Sequence, residues 1–153
     1  MTNTTFDLQM NPMVRNLLVS AIGTCKFAMM HKEHPVTRAI HEFKLFEGQS
    51  LEHFLERIKA AKDGQKIKMS IKDEVLIYAA MDLTCKIYLT DLGDKMEQLS
   101  KPVMKEGKSS YIEIRSTLLK GCQFVMEGMR EKLSGIDAFD DLVEILDNYL
   151  IFD

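Results

Sequence analysis

Four histidines offer the first chemistry in this sequence. His31 and His34 stand three residues apart, His41 follows after Pro35, and His53 lies further off. Imidazole nitrogens are common ligands of divalent metals. A helix reaching His34 would put His31 and His34 on one face, and a reversal at Pro35 would bring His41 to them. Glu33 or Glu42 would then supply a carboxylate, making His31, His34 and His41 the expected metal set. The plainer reading is that His and Lys at a helix C-terminus complement its dipole, with His41 and His53 half-exposed. No other cofactor is evident.

Asp82 is the second candidate. It interrupts the most apolar stretch of the chain, Ile71–Leu92, in which Val75 to Leu89 is apolar except at Asp82, Thr84 and Lys86. A carboxylic acid held among apolar side chains is how enzymes prepare a general acid. At 100° per residue, however, Asp82, Lys86 and Thr90 fall on one narrow seam. An Asp followed four residues later by Lys is the orientation of a helical ion pair worth a few tenths of a kcal/mol. The expectation is therefore an exposed seam, with Asp82 a surface residue.

Other resemblances to catalytic motifs fail on spacing. Gly107-Lys108-Ser109 ends like a phosphate-binding loop, but Pro102 occupies the position of its first glycine. His41-Glu42 begins like a zinc-protease helix, but Leu45 stands where the second histidine is needed. No Glu has a histidine three residues on, as a di-iron bundle requires. A helix-turn-helix around Gly48 would present Glu52 and Glu56 to phosphates, the wrong charge. No nucleophile–base pair can be located, so a non-catalytic role is expected.

Two apolar features have no evident cover. Phe124 lies off the core face of its helix, and the chain ends on Tyr149, Leu150, Ile151 and Phe152. Phe124, Tyr149, Ile151 and Phe152 are thus the expected interaction residues, in a homodimer above all. Eleven methionines are a mild excess. Met29, Met81, Met96, Met104, Met126 and Met129 suit either irregular core gaps or an adaptable ligand groove.

The whole chain sets the frame for these residues. Its 153 residues suit one domain, and 28% charged with 46% hydrophobic residues is ordinary for a globular protein. A net charge of −3 argues against a dedicated nucleic-acid binder. Cys25, Cys85 and Cys122 each stand alone in an apolar run, as small core residues of a reducing compartment do. Pro12–Met30, the one stretch of near-membrane length, carries Arg15, Asn16, Ser20, Thr24 and Lys26, too polar to span a bilayer. With no signal peptide evident, a cytoplasmic protein with no membrane partner is expected.

The elements that position these residues read as helices. Residues 1–11 are a flexible N-terminal segment, from which Phe6, Leu8 and Met10 could dock. Asn11-Pro12 starts a helix running to about Lys32. Thr37 and Ser50 can cap two short helices, and Gln65–Met69 reads as a basic connector. Ser70 caps the central helix, which continues towards Met96 and Leu99 with Gly93 as its weak point. Ser110 and Glu113 form a capping box for the next helix, where Gly121 and Gly128 imply close approach of a neighbour. Asp137 caps the last helix, whose outward Asp140, Asp141, Glu144 and Asp147 form a solvated face or a partner for the basic Arg57–Lys72 run.

The expected fold is all-α: a single-domain bundle of five or six helices over residues 12–153, around a buried central helix. The expected function is a non-catalytic protein-interaction or regulatory module acting as a homodimer. The alternative is a helical protein that binds a metal or a small apolar ligand, through His31, His34 and His41 or a methionine-lined groove.

Overall fold

Asn11 and Pro12 open the first long element as their types require. The Asn11 side chain accepts from the Val14 N–H at 2.8 Å, and α1 spans Pro12–Met29. The computed structural model describes residues 5–46, 51–88, 90, 93–95 and 108–150, excepting the side chains of 5–6 and 108–114. In chain order follow α2 (Pro35–Glu42), α3 (Leu51–Ala60), α4 (Ile71–Ile87), α5 (Lys108–Leu133) and α6 (Asp137–Asn148), with residues 93–95 also helical. The fold is mostly helical, and among the described residues no helix is long and apolar enough to cross a membrane.

A two-stranded antiparallel sheet departs from the all-helical expectation. Strand β1 (Thr5–Gln9) pairs with β2 (Lys66–Ser70), Thr5 opposite Ser70 and Gln9 opposite Lys66. The N-terminal segment and the supposed basic connector are therefore paired with each other. Met10 extends the arrangement: its N–H donates to the Gln65 carbonyl at 2.8 Å, and its own carbonyl accepts from Gly64 at 2.7 Å. Gly64, at φ +83°, supplies the left-handed turn that makes this possible. The Met10 and Met69 side chains are fully buried.

Helix α4 is the organising element, as its composition implies. Twelve of its 17 residues are buried, because α1, α5, α6 and β2 all pack on it. Ser70 caps it reciprocally. The Ser70 hydroxyl accepts from Asp73 N–H at 3.2 Å, while Asp73 accepts from the Ser70 N–H at 3.0 Å. Arg57 of α3 closes on the same carboxylate at 3.3 Å. Along α1, the small residues Ala21, Cys25 and Ala28 are fully buried. They let α1 approach α4 closely enough for Thr84 to donate to the Ala21 carbonyl at 3.2 Å.

Helix ends differ from the sequence reading at five places. Helix α1 stops at Met29, not Lys32, and Thr37 is not a cap. Its buried hydroxyl instead bonds the Ala28 and His31 carbonyls at 2.5 and 2.9 Å, satisfying the end of α1. Helix α2 is capped by His34, whose Nδ1 accepts from Val36 N–H at 3.2 Å. Helix α4 ends at Ile87, where Thr90 turns back onto the Ile87 carbonyl. A Cβ on Gly93 would lie 2.9 Å from the Tyr88 carbonyl oxygen, so this reversal requires glycine. Met96, Leu99 and Ser50 lie outside the described residues. Helix α5 begins at Lys108, ahead of Ser110. Finally, Ile136 and not Asp137 holds the N-cap position of α6, without a side-chain cap bond.

Candidate ligand cavity and the covered polar seam

The most promising site lies where β1, α1, α4 and α5 meet. An open cavity of about 200 Å³ is walled by side chains from all four elements. Its buried floor is Leu18, Ile77, Met81 and Met129, with the Glu74 carboxyl among them. Leu8, Val14, Leu17 and Val125 form a half-buried rim, completed by exposed Gly128 and Lys132. The floor follows from helical spacing. Ile77 and Met81 stand four apart on α4, and Val125 and Met129 four apart on α5, so each pair shares one face.

The two glycines of α5 have different roles. A Cβ on Gly121 would sit 3.1 Å from Leu17 Cδ1, the close approach expected of such a residue. A Cβ on Gly128 would meet nothing within 4 Å, because Gly128 stands at the cavity opening. Gly128→Ala is therefore expected to stabilise the protein by about 1 kcal/mol through helix propensity alone. Gly121→Ala should gain much less, because Leu17 must give way. Urea denaturation of the two variants measures the difference.

Glu74 is the polar feature of the cavity. Its side chain is 5% exposed and pairs with Lys132 of α5 at 3.1 Å. It sits in the first turn of α4, where the helix dipole favours a negative charge. The result is a buried hydrogen-bond acceptor, paired with Lys132, in a mostly apolar lining. Small-ligand sites commonly have this construction: an apolar lining with few polar groups, which set orientation.

The seam carrying Asp82 overturns the sequence reading. Asp82 is only 7% exposed, because α6 lies over the seam. Lys86 Nζ donates to Asp82 Oδ2 at 2.5 Å and to the Leu146 carbonyl of α6 at 2.5 Å. That carbonyl belongs to the last turn of α6, where the intrahelical acceptors run out of donors. Lys86 thus ties the ion pair to the end of a second helix. Burial raises the Asp82 pKa, against the opposing influence of the Lys86 hydrogen bond and charge. One turn earlier, fully buried Tyr78 accepts from Arg130 Nε and meets the Phe139 ring edge-on at 4.8 Å. Arg130 reaches Asp147 at 3.4 Å, a half-exposed pair worth little. No member of this seam lines the cavity. Its chemistry is to lock α6 onto α4 and α5.

The histidines are not brought together. His31 packs its ring against Phe27 at 4.8 Å, His34 caps α2 through Nδ1, and His41 is exposed near the end of α2. Among the described residues no group of three His, Cys, Asp or Glu side chains could hold a metal ion. Of the expected interaction residues, Phe124 and Tyr149 are 77% and 64% exposed on different elements. Tyr149 packs against Phe43 at 5.9 Å between ring centres. Ile151 and Phe152 lie outside the described residues. On α6, Asp137, Asp140, Asp141 and Glu144 are exposed, while Arg57 of the basic run pairs with Asp73.

Sequence reasoning missed Glu74 and Lys132 as a unit, since 58 residues separate them. The available signal was a Glu beside Asp73 at a helix start already supplied with acidic charge. No protein-family model, curated protein or solved structure matches the chain.

Proposed function

We propose that this protein is a non-catalytic binder of a small apolar ligand bearing a hydrogen-bond donor at one end, seated within a helical bundle around α4. The observation that carries this reading is the 200 Å³ cavity with an apolar floor and a single buried carboxylate. A cavity of 150 Å³ admits a benzene-sized molecule, so this volume suits about six to ten non-hydrogen atoms. The apolar body would rest on Leu18, Ile77, Met81 and Met129, and an amine or hydroxyl would face Glu74. Met81 and Met129, two of the six methionines that suit either core gaps or a groove, supply adaptable surfaces.

The interaction-module reading draws on Phe124 and Tyr149, exposed residues on separate elements. The cavity is the more specific feature, because four elements converge to build it.

Thermal denaturation with n-pentylamine, n-pentanol and n-pentanoate tests the proposal. The amine and alcohol should raise Tm in proportion to the logarithm of their concentration above Kd, by an amount equivalent to about 2.7 kcal/mol at a hundredfold excess over Kd. Pentanoate should do so least, since it would set a second carboxylate against Glu74. Val125→Trp, which places an indole over the opening, should remove the effect. No rise in Tm with any of the three compounds, or a rise that Val125→Trp leaves unchanged, would overturn the reading.

A further inference from the structure

The two charges of the cavity stand in a fixed relation to its apolar lining. Helices α4 and α5 run antiparallel, since Glu74 meets Lys132 and, one turn on, Tyr78 meets Arg130. From Glu74, Ile77 and Met81 follow three and seven residues along α4. From Lys132, Met129 and Val125 lie three and seven residues back along α5. At 1.5 Å per residue, both series extend about 4 and 10 Å from the ion pair. The pair therefore heads an apolar track shared by the two helices. Its carboxylate is the deeper group, since Glu74 is buried and Lys132 is exposed.

We propose that the ligand is a zwitterionic amino acid with an aliphatic side chain, its ammonium on Glu74, its carboxylate on Lys132 and its side chain over Ile77, Met81, Val125 and Met129. This assignment rests on the cavity reading and narrows it. Glu74 and Lys132 already balance each other at 3.1 Å. A simple amine adds a positive charge to that neutral pair, and a simple acid adds a negative one. Either leaves one charge uncompensated in a largely buried site. An amino acid brings both signs together and adds no net charge.

The two side chains can hold it without parting. An ionised carboxylate accepts at both oxygens and an ammonium has three donors, so each can bond its neighbour and the ligand group of opposite sign. The four charges then alternate around a ring of charge-assisted hydrogen bonds, each roughly twice as strong as a neutral one. Buried Glu74 draws the ligand ammonium inward, and exposed Lys132 sets the ligand carboxylate towards the opening.

Isothermal titration calorimetry of the full chain at pH 7 with L-norleucine, n-pentylamine and n-hexanoate tests the assignment. The amine is norleucine without its carboxylate, and the acid is norleucine without its ammonium, so the alkyl chain stays the same. Norleucine should bind at least about tenfold more tightly than either, the effect of one charged hydrogen bond. Val125→Trp should abolish its binding. Lys132→Met should reverse its order against n-pentylamine, because Glu74 then faces the ligand without its cation. If that variant does not fold, the three-ligand comparison on the unsubstituted chain decides alone. Norleucine binding no tighter than n-pentylamine or n-hexanoate, or an advantage that survives Lys132→Met or Val125→Trp, would overturn the assignment. The cavity reading would still stand on n-pentylamine binding that Val125→Trp removes, whereas binding of none of the three would overturn both.

Discussion

Lys86→Met is expected to destabilise the protein by about 3 kcal/mol at pH 7, the usual cost of removing one partner from a buried pair. The substitution leaves the Asp82 carboxylate enclosed by α4 and α6 without its cation, and takes the donor from the Leu146 carbonyl. Methionine keeps most of the apolar length of lysine, so packing changes little. The loss should depend on pH with a definite sign. Burial holds the folded-state pKa of Asp82 above the ordinary 3.8, so folding favours the protonated acid. That contribution is fully present below 3.8 and lost as pH rises through the raised folded value. Removing Lys86 raises the folded value further. Acidifying from pH 7 towards the ordinary carboxylate range should therefore recover much of the loss. Asp82→Asn should cost less than Lys86→Met at pH 7, because burial already opposes the charge it removes. Urea denaturation at several pH values measures both. A loss for Lys86→Met below about 1 kcal/mol, unchanged by pH, would mean that solvent reaches the seam.

Met10→Ala is expected to cost about 3 kcal/mol, within the usual range for truncating a buried methionine. The side chain is fully buried, and its backbone is bonded in both directions to the Gly64–Gln65 turn. The same substitution in a frayed terminus would change stability by less than about 0.5 kcal/mol. Chemical denaturation separates the two outcomes. Hydrogen exchange adds a second readout, because the Met10 amide should be protected through its bond to Gln65.

The legible features of this fold are those written within about one helical turn. Asn11-Pro12, the Ser70 cap and the spacing of Phe139, Leu142 and Leu146 each place their own element. Features requiring a distant partner were not legible. Strand β1 has only five residues and takes its register from β2, far along the chain, with Thr5 opposite Ser70 and Gln9 opposite Lys66. The helical projection of α4 places Asp82 beside Lys86 correctly, and both are paired. A projection of one helix cannot show that α6 covers that seam. Gly121 and Gly128 have similar surroundings in sequence, yet one faces Leu17 and the other an opening. Thr37 follows the same logic. Its type suits a cap, but its hydroxyl completes the preceding helix.

The central claim, that the cavity takes an apolar ligand with a donor at one end, is tested most directly by methyl NMR of methionine-labelled protein titrated with n-pentylamine. Among eleven methionines, Met81 and Met129 line the cavity. Their methyl resonances should shift together, saturate at one Kd, and stop shifting when Val125 is replaced by Trp. Shifts spread over exposed Met13 and Met30, or unsaturable shifts at Met81 and Met129, would contradict the account.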